Sequence, residues 1–501
     1  MNSSFVIALL ALPVLLHALA ATGAGIGDRE GAWRRAEAAA LGATLAGAAA
    51  IVALLAAGPQ VGAGLRLDAP GAIVAMLVGF VGWVVVRYSR RYLQGESNER
   101  RYLRLLATAL AAVSLVLAAD HLLLLAGAWI ATSVVLHQLL RFYVERPAAR
   151  MAAHKKFLSA RAADAALLGA VGLLGSAYGT LSLETLLERA GALGVPPLAQ
   201  AGLVLLVVTA LLKCAQLPMH GWLIQVMEAP TPVSALLHAG VVNLGGLVLI
   251  RFAPLLAQAP AALVLLAAAA TLTVVLATLV MGTRISIKVS LAWSTVAQMG
   301  FMLLQLALGL PAMALLHLVA HSLYKAHAFL AAGGIVQRQQ ALRLAAPAAP
   351  IAWRWAVAAL ALPALVVGAG IAGGVLASPA AWLAGAVLGL ALVPLAAAGR
   401  PLQAAGVAVG WFAGHALASA WLAPATFGVP AALLATVALA FGLLFTLQAA
   451  IVLRPAWPSV RRLYPWAYGG FYVDDHVSHA LLRRWPVPAA PALTTVAGAK
   501  P

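Results

Sequence analysis

Lys213 ends a long apolar run, AGLVLLVVTALL, and is followed by CAQLPMHGW with a proline at 218. If that run crosses a bilayer, the ammonium lies well inside it, where a central lysine costs about 2.5–3.5 kcal/mol unless it faces water or a carboxylate. A group held there can take up and release a proton when a neighbouring charge changes, which is what a relay needs. The plainer alternative is a lysine that snorkels to the interface. Further on, EAPTPVSALLHAG puts Glu228 near a helix end and His238 one to two turns inside the next helix, with Pro230 and Pro232 fixing its start. Each has a bland reading: an interfacial acid near a helix N-terminus for Glu228, a hydrogen-bonded packing residue for His238. HLVAHSLYKAHAF spaces His317, His321 and Lys325 four residues apart, so they share one helical face. Two imidazoles a turn apart can pass a proton through water, or they can form a packing cluster. Zinc in the metalloprotease manner needs Glu directly after the first His, and Leu318 is there. AWIATSVVLHQLLRFY offers His137 without an acid; Asp120 begins that same helix, and Asp164 follows Arg161 at a spacing suited to an ion pair.

The elements that must position these residues are set by composition. The 501 residues are 63% hydrophobic and 9% charged, with mean hydropathy +0.97, so a bilayer must be the solvent and its crossings must be helices. The fold class is an all-α polytopic membrane protein of about fifteen spans, thirteen to sixteen. Helices are expected at 4–22, 36–57, 70–88, 102–119, 120–141, 160–180, 199–227, 233–253, 258–281, 289–308, 312–335, 354–377, 379–398, 402–422 and 429–453. Pro218 should break the seventh inside the membrane, baring polar groups where ions pass. The formal charge of +18 comes from arginines and lysines in short connectors, which act as topology signals and not as a nucleic-acid footprint. They place the N-terminus outside and the C-terminus in the cytoplasm. Cys214 is the only cysteine, which excludes an intrachain disulfide, a Cys-ligated zinc and an iron–sulfur cluster, and no cofactor is expected in this chain. The run Phe5 to Ala20 reads as a retained helix. Residues 1–453 are read as one bundle and 454–501 as a cytoplasmic segment. That segment holds a docking surface, RRLYPWAYGGFYVDDHVSHALLRRWP, and a disordered Pro/Ala-rich tail at 486–501; a connector of similar composition lies at 344–350.

KCAQLPMHGWLIQVMEAPTPVSALLHAG, then IKVSLAWSTVAQMGFM and HLVAHSLYKAHAFLAAGG, resemble the signatures of the antiporter-like subunits of NADH–quinone oxidoreductase (complex I) and of the Mrp cation/proton antiporters. LDAPGAIVAMLVGFVGWVVVRYSRRYLQGE extends the likeness, which covers roughly 65–340. The resemblance implies the complex I antiporter-like fold, Lys213 as the central proton-carrying residue of a half-channel, and His238, His317, His321 and Lys325 on the connecting polar axis. Two departures stand out. The family places Glu after the tryptophan matching Trp129, but Ile130 is here, so the acid that modulates the lysine is expected to be missing. ALALPALVVGAGIAGG lacks the lysine of the family's broken twelfth helix. No long apolar helix follows 429–453, so the lateral arm of the largest complex I subunit is not expected.

WIATSVVLHQLLRFYVERPAARMAAHKKF, LLHAGVVNLGGLVLIRF and AHSLYKAHAFL resemble the DabB-type membrane subunits of DAB inorganic-carbon accumulation complexes. That likeness implies a bacterial inner-membrane location and a cytoplasmic DabA-like zinc partner related in chemistry to β-carbonic anhydrases, the zinc belonging to the partner. It also implies that protons or sodium ions flowing through this chain drive one-way hydration of carbon dioxide to bicarbonate. The expectation is a transport subunit and not an enzyme. The path runs from Lys213 through His238 and the His317/His321/Lys325 stripe, Glu228 marks an opening toward the cytoplasm, and Asp120, His137, Arg161 and Asp164 are supporting polar groups. Two other readings are an Mrp-like or respiratory antiporter subunit and a non-conducting membrane anchor.

Overall fold

The computed structural model describes residues 3–334, 352–422 and 428–487. The connector at 344–350, Arg338 and Arg343, and residues 488–501 of the tail fall outside the described residues.

In hydrocarbon a segment satisfies its own backbone by coiling into a helix, and a helix forms at each of the fifteen expected places. α1 (Ser3–Gly23) and α2 (Arg29–Ala57) lead into a hairpin that the apolar pattern did not announce. Its strands β1 (Gln60–Gly62) and β2 (Leu65–Leu67) are antiparallel, with Val61 opposite Arg66. Ala63 (φ 50°) and Gly64 (φ 75°) make the left-handed turn that a two-residue hairpin loop requires. α3 (Ala69–Tyr92), α4 (Glu99–Ala118), α5 (Leu122–Leu140), α6 (Pro147–Tyr178) and the short α7 (Leu183–Leu193) follow. α8 (Pro197–Lys213) stops at the lysine; the chain is non-helical from Cys214 to His220 and coils again as α9 (Gly221–Gln225). Next come α10 (Thr231–Leu236), a π-helical turn at Leu237–Val241 and α11 (Leu244–Arg251), which together make one crossing, then α12 (Ala253–Leu256). α13 (Pro260–Met281), α14 (Ile287–Ala307) and α15 (Pro311–Leu330) complete the central part. α16 (Ala352–Ala372), α17 (Pro379–Ala397), α18 (Pro401–Trp421) and α19 (Ala431–Leu453) precede two short helices, α20 (Pro458–Tyr468) and α21 (Val473–Arg484).

Among the described residues twelve helical stretches are long and apolar enough to cross a membrane, and α8 is a shorter apolar helix. α15 and α18 have the length but are less apolar, because they carry His317, His321 and Lys325, and Gln403 and His415. The chain is a multi-pass membrane protein. α6 begins at Pro147, well before the expected 160. Pro147 suits the first helical turn, and the basic stretch that reads as a connector is rich in helix formers. At 32 residues α6 is about 48 Å long, more than the roughly 30 Å of hydrocarbon.

Two glycines bring α2 and α3 into backbone contact. A Cβ at Gly47 would lie 2.6 Å from the Met76 backbone, and one at Gly79 would lie 2.8 Å from the Thr44 nitrogen. Without a hydrophobic drive between helices, such close approach is how membrane helices gain packing energy. The ends of these helices are tied by charge. At one end Arg29 pairs with Glu99 at 2.6 Å, and Arg90 bridges Glu30 and Glu37. At the other, Arg251 forks onto both oxygens of Asp68 at 2.9 Å, while Arg66 lies 2.9 Å from Asp68 and 3.0 Å from Asp120. Asp120 also accepts from Ser182 Oγ at 2.6 Å and from the Glu184 backbone N–H at 3.2 Å, so it anchors the turn into α7. Replacing Gly79 by Leu should force α2 and α3 apart at a cost of about 1–3 kcal/mol, seen as a lower melting temperature of the purified protein in detergent.

Candidate functional site

The break in the seventh span is stabilised locally. Gln216 Nε2 donates to the Cys214 carbonyl at 2.9 Å, and Thr273 Oγ1 accepts from the Leu217 N–H at 3.2 Å, replacing bonds that a continuous helix would have made. The Leu217–Pro218 peptide is cis. Lys213 is therefore the last residue of α8, on a helix C-terminus whose free carbonyls favour positive charge.

Its side chain is 7% exposed and reaches across to α5 and α6. Lys213 Nζ donates to Asp164 Oδ1 at 2.6 Å and to Ser133 Oγ at 2.9 Å, and stands 5.1 Å from the Trp129 ring centre. Arg161 Nη2 lies 2.5 Å from Asp164 Oδ2, the expected pair on α6, although Oδ2 accepts no hydrogen bond of good geometry. The buried Lys156 donates to the Ser133 carbonyl. One carboxylate thus pairs with two cations, and Lys156 stands beside them on the Ser133 carbonyl. A cavity of about 30 Å³, room for one or two waters, borders Lys213, Lys156, Ser133, Trp222 and Leu237.

The expectation that the modulating acid is missing is corrected here. Position 130 is apolar, but Asp164 brings a carboxylate to Lys213 from α6. Arg161 and Asp164 belong to the lysine's own cluster and are not a separate pair. Lys156 and Ser133 were not foreseen; Lys156 sits in what reads as a basic connector, and only the early start of α6 carries it inside. His137 is near but engaged elsewhere, its Nδ1 3.1 Å from the Ala153 carbonyl oxygen. Asp120 stands apart, in the charge cluster with Arg66.

A second polar group forms where the π-helical turn meets α15. His238 is fully buried and stacked on Phe329 with ring centres 4.4 Å apart; neither of its ring nitrogens has a hydrogen-bond partner. His317 and His321 face each other at 6.1 Å between centres, and His317 Nδ1 lies 3.2 Å from Gln305 Oε1. Lys325 Nζ donates to the Leu291 carbonyl at 2.9 Å. No side-chain hydrogen bond among the described residues joins this group to the Lys213 cluster; Leu237, beside His238 in the chain, lines the small cavity between them. Glu228 ends the turn Val226–Glu228, half-buried and outside both clusters. α16 contains Pro363 but runs unbroken and has no lysine. Among the described residues, no group of three His, Cys, Asp or Glu side chains could hold a metal ion.

Residues 119–389, more than half the chain and all of both clusters, match the family described as NADH:quinone oxidoreductase/Mrp antiporter, TM. The chain belongs to that family. Residues 55–103 match the N-terminal part of complex I chain 5. Within the NADH:quinone oxidoreductase/Mrp antiporter family it is 51% identical over 294 residues to a probable inorganic carbon transporter subunit DabB of Hydrogenovibrio crunogenus, 58% of this chain and 57% of the relative. It is 48% identical over 284 residues to DabB2 of Halothiobacillus neapolitanus, 56% of this chain and 52% of the relative. The match thus spans little more than half the length of either. The Mrp complex of Dietzia sp. DQ12-45-1b has a chain of similar fold, with TM-score 0.63 and 25% identity, covering 96% of this chain and 62% of that one.

The geometry makes Asp164→Asn a strong perturbation, since it leaves buried cations without their counter-charge. It should cost about 3–5 kcal/mol, read from thermal melting in detergent. Adding Lys213→Met to Asp164→Asn should recover part of that loss, and a double-mutant cycle over the two positions measures the coupling.

Proposed function

We propose that this chain is a cation-conducting subunit of the bacterial inner membrane, with the proton as the carried ion, the N-terminus outside and the C-terminus in the cytoplasm. Its gradient-driven flow energises hydration of carbon dioxide to bicarbonate by a DabA-like cytoplasmic zinc partner. The observation that carries the reading is the Lys213–Asp164 pair at the break of the seventh span, beside a cavity large enough for water. A proton arriving from outside exchanges at Lys213. Its charge acts on Asp164, Lys156 and Arg161, and His238 with the His317/His321/Lys325 stripe continues the polar axis through water. Glu228 marks the opening toward the cytoplasm. The likeness to two inorganic carbon transporter subunits supports the coupling to carbon uptake; the basic residues gathered at the C-terminal-side ends of the spans support the orientation.

The likeness to the Mrp complex favours a second reading, an Mrp-like or respiratory antiporter subunit, which sodium tolerance or copurification with redox subunits would reveal. The unbroken, lysine-free α16 favours a third, a non-conducting anchor, which would keep working without Lys213. Lys213→Ala should reduce bicarbonate accumulation to background in cells that lack other carbonic anhydrases and express the full chain with its zinc partner. Undiminished accumulation with intact assembly would overturn the proposal.

A further inference from the structure

The two short helices after α19 fold back onto the bundle. Lys155 Nζ of α6 bonds to Asp474 Oδ2 of α21 at 3.0 Å, and His154 Nε2 lies 2.9 Å from the Trp485 carbonyl oxygen. The Arg284 guanidinium, in the turn between α13 and α14, is 5.5 Å from the ring centres of both Trp293 and Tyr468. These contacts bring the Asp474 carboxylate against Gly221, the first residue of α9, where any Cβ would overlap it. Ser478 Oγ donates to the other carboxylate oxygen at 3.0 Å. Directly before Gly221 stands His220, fully buried, 4.9 Å from the Trp293 ring, with no hydrogen bond of good geometry on either ring nitrogen and the Pro218 backbone close by. One residue after Gly221, Trp222 lines the cavity shared by Lys213 and Lys156.

From this juxtaposition we infer that Asp474 is the carboxylate through which protons leave the path on the cytoplasmic side, receiving them from His220. A buried imidazole without a well-formed hydrogen bond is poorly explained as packing, because burying poorly paired polar atoms costs free energy. It suits a relay, which takes a proton on one nitrogen and releases it from the other. In the step drawn here His220 gains a proton from the Lys213 side, its other nitrogen passes one to Asp474, and Asp474 hands it to water. Asp474 then returns to its starting state, and His220, left as its other tautomer, is reset by a ring flip or by a proton shift through water. Glu228 then borders the opening, and Asp474 is its exchanging acid. A merely structural role, Asp474 as a tether for Lys155, accounts for neither the poorly paired ring nitrogens nor the closeness of Gly221.

This inference rests on the conduction reading above, and its test separates the two. Bicarbonate accumulation is measured in cells expressing the full chain with its partner, at matched membrane abundance, for Lys213→Ala, Asp474→Asn, Asp474→Glu and Lys155→Gln. The expected pattern is background for Lys213→Ala, a loss of about tenfold or more for Asp474→Asn, recovery of most of that loss in Asp474→Glu, and a clearly smaller, partial loss in Lys155→Gln, which loosens the carboxylate but keeps it. Wild-type accumulation in Asp474→Asn beside a dead Lys213→Ala overturns this inference and leaves the conduction reading standing. Equal losses in Asp474→Asn and Lys155→Gln reduce Asp474 to a tether and overturn it too. Undiminished accumulation in Lys213→Ala removes both. If Asp474→Asn does not reach the membrane, Gly221→Ala, which crowds the carboxylate out of place, carries the same comparison.

Discussion

A lysine and a carboxylate 2.6 Å apart at a helix end inside the bilayer fix the logic of this protein. A broken helix bares carbonyls at its C-terminus, and those carbonyls favour a cation there. Lys213 supplies it as the last residue of α8. The break alone would hold the charge poorly. Asp164 from α6 compensates it directly, and the Ser133 hydroxyl and the Trp129 face complete the surroundings. Because Arg161 pairs with the same carboxylate and Lys156 bonds to the Ser133 carbonyl, a change of one charge in the cluster alters the energy of the others. Static ion pairs in lipid are normally matched; here two cations share one acid and Lys156 lies beside them on a backbone carbonyl.

α6 is the element that makes this possible. Along one continuous helix it carries Lys155, Lys156, Arg161 and Asp164, so a side chain bonded to the C-terminal segment and the acid of the central pair sit on one rigid rod. Nine residues separate Lys155 from Asp164, about 13.5 Å of helix rise. Movement of the C-terminal helices would reach the cluster through that rod, without any chain of flexible loops. At the far end of the bundle the Arg251 fork on Asp68 and the Arg66 bridge to Asp120 hold α3, α5 and α11 in place.

The spans were legible because lipid leaves the backbone one solution, and apolar runs therefore mark helices closely. The break was legible too, from a proline after a run too long for one crossing. What sequence could not supply was the partner of Lys213. Asp164 lies 49 residues earlier and reads most simply as the i+3 partner of Arg161, a local pairing that exists and masks the more consequential one. The apolar Ile130 then made the acid look absent. Lys156 was hidden differently: basic residues near a span end read as topology signals, and only the extension of α6 to Pro147 carries this one inward. His220 has no periodic partner at all, and the closeness of its neighbour Gly221 to Asp474 joins residues more than 250 apart in the chain.

The distribution of unsatisfied nitrogens argues for where water belongs. On α15, His317 has Gln305 and Lys325 has the Leu291 carbonyl, so both are held by protein. His238 and His220, and Nε2 of His321, are not. These free nitrogens cluster at the two places where regular α-helix fails, the π-helical turn and the break after Lys213. Helical irregularity inside a membrane is tolerated only where the backbone is buried in protein or lines a wet space. Buried polar atoms without protein partners are where ordered water is found. Both criteria select the same two positions, whose chain neighbours Trp222 and Leu237 line the small cavity at Lys213. α16, regular and without a lysine, meets neither, whereas both polar clusters lie in the part of the bundle built around α6, α8 and α15.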